Sequence, residues 1–133
     1  MAKLVLPRVQ AMVLCDSLRE SDEEADVFNL TGVRAVLEVA SFPAQYPRLC
    51  VFLHMSGHQG EALCHVEVNR IGVDQVIFRA ATKTVSFKHP TTVVPVEFRV
   101  RRCVFPAPGV YFVQVFNEDK LIGERPLQLR QEG

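Results

Sequence analysis

The chain has no excess of either charge: 15 Lys and Arg residues balance 15 Asp and Glu residues, for a formal net charge of zero. Such a chain offers no bulk attraction to nucleic acid or to an anionic membrane, so neither is expected as a partner. Long hydrophobic runs are also missing, and no stretch approaches the roughly 20 apolar residues of a membrane-spanning helix. At the N-terminus, Met1-Ala2-Lys3-Leu4-Val5-Leu6 and Ala11-Met12-Val13-Leu14-Cys15 imitate an export signal. Pro7, Arg8 and Gln10 interrupt the apolar segment such a signal needs, and bulky Leu14 stands where a lipoprotein leader has a small residue. The expected location is therefore the cytoplasm.

The four cysteines, Cys15, Cys50, Cys64 and Cys103, show no C-x-x-C spacing, which argues against zinc knuckles, zinc ribbons and thioredoxin-like centres. In a reducing compartment they are expected to be free, buried thiols. The sequon Asn29-Leu30-Thr31 carries no meaning there. Catalytic signatures are equally scarce. No glycine-rich phosphate loop is present, and Ser56-Gly57-His58 lacks the first glycine of a nucleophile elbow. Cys64 and His65 are adjacent, but neighbours on a strand point to opposite faces and cannot act as nucleophile and base. No reaction and no cofactor is implied.

The 133 residues make a single domain spanning 1–133, large enough to bury roughly two-thirds of the unfolded surface without a metal or disulfide. A period-2 alternation recurs along it, punctuated by Gly and Pro. It predicts strands near 8–14, 33–40, 48–56, 61–69, 75–81, 93–104, 109–117 and 121–129, with a short one near 85–88. Eight to nine short strands at this spacing predict an all-β, two-sheet antiparallel sandwich of immunoglobulin-like order.

Asp16 to Asp26 holds six acidic residues against the lone Arg19 and reads as a solvated loop, since the calcium-loop pattern is absent. The segment 48–69 reads as a hairpin about Gly57-His58-Gln59-Gly60, with Met55 opposite Ala62, Leu53 opposite Cys64 and Val51 opposite Val66. Gly109-Val110-Tyr111 has the pattern of a tyrosine corner. Ile122, Leu127 and Leu129 share an inward face only if a bulge near 123–126 changes the parity.

Four groups of residues are candidates for function. Phe52, Phe112 and Phe116 fall on outward positions; with His54, His65 and Gln114 they form an expected contact patch if strands 48–56 and 109–117 are neighbours. Histidines His54, His58 and His65, with Cys50, are the candidate metal ligands or enzymatic groups, although a complete ligand set is not evident. Arg99, Arg101 and Arg102, with Arg79, read as a wet strand face rather than a phosphate site. Tyr46, Phe42 and the nearby prolines could line a small-ligand pocket.

Phe42-Pro43-Ala44-Gln45-Tyr46-Pro47-Arg48-Leu49-Cys50-Val51 and Phe105-Pro106-Ala107-Pro108-Gly109-Val110-Tyr111 resemble members of a family of small, uncharacterised bacterial proteins. The resemblance runs from Val9-Gln10-Ala11-Met12 to Glu124-Arg125-Pro126-Leu127 and implies no activity, because that family has no assigned catalytic residues. The expected function is a non-catalytic binding or interaction module, meeting a protein partner or a second copy in a homodimer.

Overall fold

A computed structural model describes residues 5–133; the part of the export-signal reading that rests on residues 1–4 lies outside them. The described chain forms twelve strands, more than the eight to nine expected. The smaller sheet has the order β2 (Phe28–Val33), β1 (Arg8–Glu20), β5 (Leu49–Ser56), β9 (Val94–Val100). The larger sheet runs β3 (Val36–Val39), β12 (Lys120–Gln131), β11 (Gly109–Asn117), β6 (Gly60–Arg70). Two short strands, β7 (Gln75–Arg79) and β8 (Lys83–Phe87), share the free edge of β6. The two-residue strands β4 (Ala44–Gln45) and β10 (Val104–Phe105) pair with each other. The parallel β3–β12 pair aside, every pairing is antiparallel. With β1-β5-β9 facing β12-β11-β6, the neighbours follow immunoglobulin order.

The extra strands are β2, which overlaps the predicted 33–40 only at Val33, the short β4, and β10, which with β9 makes up the predicted 93–104. The stretch expected as an acidic loop is ordered ribbon over its first five residues. β1 continues to Glu20 and pairs with β2, with Leu18 opposite Leu30, leaving only residues 21–27 as the tip.

The segment 48–69 is not a hairpin. β5 lies in the smaller sheet and β6 in the larger, so the chain crosses the sandwich through the glycine turn. Gly57 and Gly60 have φ of 82° and 91°, a region most side chains avoid. The inward residues are those the alternation picks out: Leu49, Val51, Leu53 and Met55 on β5, and Ala62, Cys64, Val66 and Val68 on β6, are all buried. They meet across the core instead of along a ladder. A hairpin and an inter-sheet arch bury the same alternate positions, so periodicity alone does not separate them.

Phe98, Phe105, Tyr111, Leu127 and Leu129 are the other largest fully buried side chains of the core, together with Leu37. The Tyr111 hydroxyl donates to the Ala107 carbonyl at 2.6 Å and accepts from the Ala107 N–H at 3.3 Å, which is the tyrosine corner. The bulge on β12 falls at Ile122, one residue before the expected window. Val115 faces Gly123 while Phe116 faces Leu121, leaving Ile122 as the extra residue.

Candidate functional site

The expected patch divides between the two outer faces of the sandwich. Phe52 and His54 lie on the smaller sheet, because β5 pairs with β1 and β9. His65, Phe112, Gln114 and Phe116 lie together on the larger sheet, where β11 pairs with β6. The reason is the arch: strand 61–69, not 48–56, neighbours the penultimate strand.

The two faces differ in cover. On the smaller sheet the β1–β2 ribbon reaches back so that Phe28 seats on Phe52, ring centroids 5.0 Å apart, with His54 edge-on at 5.0 Å. Phe52 is 6% exposed and belongs to the interior of that roof. On the larger sheet the aromatic side chains sit in rows across the strands. One row runs Pro126, Phe112, Asn69, Val76; the next runs Glu124, Gln114, Glu67, Arg79; a third holds Leu121, Phe116 and His65. Phe112 and Phe116 are half-buried, while Leu121 and Val76 are 47% and 51% exposed.

His65 is 3% exposed although it faces outward. Its ring stacks on Phe116 at 5.2 Å and 9°, and its Nε2 lies 2.7 Å from the Glu67 carboxylate. Gln114 donates to Glu124 at 3.0 Å and accepts from the Asn69 amide. The middle row is thus a fixed polar band between two apolar islands. Arg79 at its end has no ion-pair partner among the described residues.

The metal or enzymatic candidates do not converge. His54 and Cys50 are on one sheet and His65 on the other, with the core between them. His58 sits in the arch, its ring nitrogens beside the carbonyls of Val5 and Glu61 and its ring edge-on to Phe87. Among the described residues no group of three or more His, Cys, Asp or Glu is arranged to hold a metal ion. Burial pushes the thiols of Cys15 and Cys64 up to about 11 and that of Cys103 up to about 12, so these groups are protonated at neutral pH and poor nucleophiles. Of the residues expected to line a ligand pocket, Tyr46 borders a cleft of about 300 Å³ with Arg34, Leu37, Glu38 and Arg130, and Pro47 lines a different one. Phe42 packs against the core, and Tyr46 is tied to Asp16.

That tie belongs to a cluster the sequence did not reveal. The Asp16 carboxylate accepts from Arg34 Nη2 at 2.6 Å, Arg34 Nε at 3.1 Å and the Tyr46 hydroxyl at 2.7 Å. The Arg34 hydrogen bonds hold the Asp16 carboxyl below its usual range. Because the folded value lies below the unfolded one, the stabilisation is complete above about pH 4 and is lost as pH falls through the folded value. Asp16→Asn is therefore expected to lower the melting temperature at neutral pH and to converge with wild type in strong acid. Parallel melting curves across that range check it.

Beside this cluster a cleft of about 460 Å³ opens between the β1–β2 ribbon and the end of β9. Arg48, Arg99 and Arg101 line it, and Cys50 is part of its wall. The arginine pattern seen in the sequence is thus only partly maintained. Arg79 lies on the opposite sheet, and Arg48 takes its place.

No match to a curated protein sequence was found. Among solved structures, the chain superposes on part of a β-glucosidase from Listeria innocua with a TM-score of 0.54 at 10% identity. The overlap covers 96% of this chain and 16% of the glucosidase, so it is a likeness of fold to one portion of a much longer chain. An immunoglobulin-like protein from Pseudomonas aeruginosa aligns over 94% of this chain and 97% of its own, with 15% identity and a TM-score of 0.44. Among the described residues no helix is long and apolar enough to cross a membrane. Residues 10–130 match the model of DUF6941, a family of unknown function, and the chain belongs to that family.

Proposed function

We propose that this domain is a non-catalytic interaction module of a reducing compartment, such as the bacterial cytoplasm, and that its contact surface is the outer face of the larger sheet. The observation that carries the reading is the contrast in cover: Phe52 on one sheet is roofed by Phe28, whereas Phe112 and Phe116 on the other have no strand laid over them. Half-buried aromatic rings with exposed aliphatic neighbours are characteristic of contact sites.

The occupant is a second copy of the chain. A two-fold axis lying along the strands, through the space between β11 and β6, reverses each row of the face. It sets Arg79 against Glu124 of the other copy and Gln114 against Glu67. Phe112 then meets Asn69, and Pro126 meets Val76. The rim of the face is complementary to itself in charge, as an isologous dimer requires.

Sedimentation of the purified chain at tens of micromolar tests this. Wild type is expected as a dimer, and Phe112→Asp as a folded monomer with the wild-type circular dichroism spectrum. A monomeric wild type sinks the proposal, as does a Phe112→Asp variant that remains dimeric.

A further inference from the structure

Cys15 and Cys50 are direct partners in the antiparallel β1–β5 ladder. Opposed residues on such a ladder point to the same side, with Cα atoms about 4.5–5.5 Å apart, inside the range of about 4.4–6.8 Å that a disulfide spans. Their neighbours Leu14 and Val51 belong to the core cluster, so the two cysteines alternate to the other side of the sheet, where they are 0% and 4% exposed. Cys50 also borders the arginine cleft, and its Sγ donates a weak hydrogen bond to the Asp16 carbonyl at 3.8 Å. Cys50 is therefore the member of the pair that lies at the wall of a cleft.

The cleft selects for charge. Arg48 and Arg101 have no ion-pair partner among the described residues, and Arg99 reaches Glu97 only at 3.4 Å. Asp16, the one acidic residue of the lining, is already neutralised by Arg34. In a chain with no net charge this is a local concentration of guanidinium groups, suited to carboxylates.

We propose that Cys15 and Cys50 form a reversible redox pair, oxidised through the arginine cleft by an anionic disulfide of the glutathione class. The Cys50 thiolate attacks one sulfur of oxidised glutathione, forming a mixed disulfide and expelling one glutathione thiolate. The Cys15 thiolate then attacks the Cys50 sulfur, closing the Cys15–Cys50 bond and expelling the second. Two protein thiols lose two electrons, the glutathione disulfide gains them, and the two thiol protons end on the two glutathiones released.

Burial raises the Cys50 thiol, Arg99 pulling against it, and leaves Cys15 at about 11, so the exchange is slow at neutral pH. Its rate is expected to rise about tenfold per pH unit through the neutral and mildly alkaline range, following the thiolate fraction. The site lies on the sheet opposite the proposed dimer face, so either can fail without the other.

The test is to incubate the folded chain with oxidised glutathione, alkylate the remaining thiols, and map peptides by mass. The expected product has lost two of its four thiols, carries a Cys15–Cys50 linked peptide, and regains both thiols with dithiothreitol. Cys15→Ser should stop at a glutathione adduct on Cys50. Arg99→Ala/Arg101→Ala should slow the reaction several-fold with oxidised glutathione but not with uncharged hydroxyethyl disulfide. Four thiols persisting after native oxidation would overturn the pair, as would linkage only after denaturation or linkage through Cys64 or Cys103. Equal slowing with both reagents would overturn entry through the arginine cleft.

Discussion

Replacing Tyr111 with alanine is expected to destabilise the domain by about 3–5 kcal/mol, and replacing it with phenylalanine by about 1–1.5 kcal/mol. The ring is fully buried and meets Phe105 edge-to-face, centroids 5.0 Å apart at 82°. Alanine removes that packing and leaves a cavity where the two sheets meet β10. Phenylalanine keeps the packing and loses only the hydroxyl. That hydroxyl holds the strand entrance at Ala107 through two hydrogen bonds, so the loss leaves the Ala107 N–H and carbonyl without their partner. Urea melts of the two variants separate the contributions. An unchanged midpoint in Tyr111→Phe would mean that water replaces the corner bond at no cost.

Phe52 and Phe112 should respond in opposite ways to the same substitution, although both occupy outward positions by alternation. Phe52→Asp is expected to unfold the domain or cost more than about 3 kcal/mol, because the new carboxylate would be sealed beneath Phe28 and beside His54. Phe112→Asp is expected to fold, since its ring is only half-buried and borders the polar band at Asn69 and Gln114. Thermal melts of the two single variants decide it. Equal stability of both variants would show that the β1–β2 ribbon does not roof the smaller sheet.

Much of the interior could be read from the sequence. Alternation put Val51, Leu53, Val66 and Val68 inward, and all four are fully buried. The Gly109-Val110-Tyr111 pattern marked the corner, and the parity of Ile122 against Leu127 required a bulge that lies within a residue of its expected place. What stayed hidden depends on which strand lies beside which. The four-residue turn at 57–60 fits a hairpin as well as an arch, and the wrong choice joined two faces that the core separates. The acidic composition of 16–26 concealed Leu18, Leu30 and Phe28, whose partners become visible only when the ribbon folds back. The Asp16–Arg34–Tyr46 cluster joins residues 18 and 30 positions apart, with no local spacing to announce it.

The most direct test of the interaction face is a charge exchange across its two-fold axis. In the dimer Arg79 of each copy faces Glu124 of the other, so a single reversal places like charges together at both ends of the contact. Arg79→Glu and Glu124→Arg should each weaken dimerisation by about tenfold to a hundredfold, two rim pairs at roughly 0.5–1 kcal/mol apiece plus the added repulsion. The double variant restores opposite charges and should recover most of the wild-type association in sedimentation equilibrium. A double variant as weak as the sum of the singles, or singles that associate like wild type, would contradict this geometry.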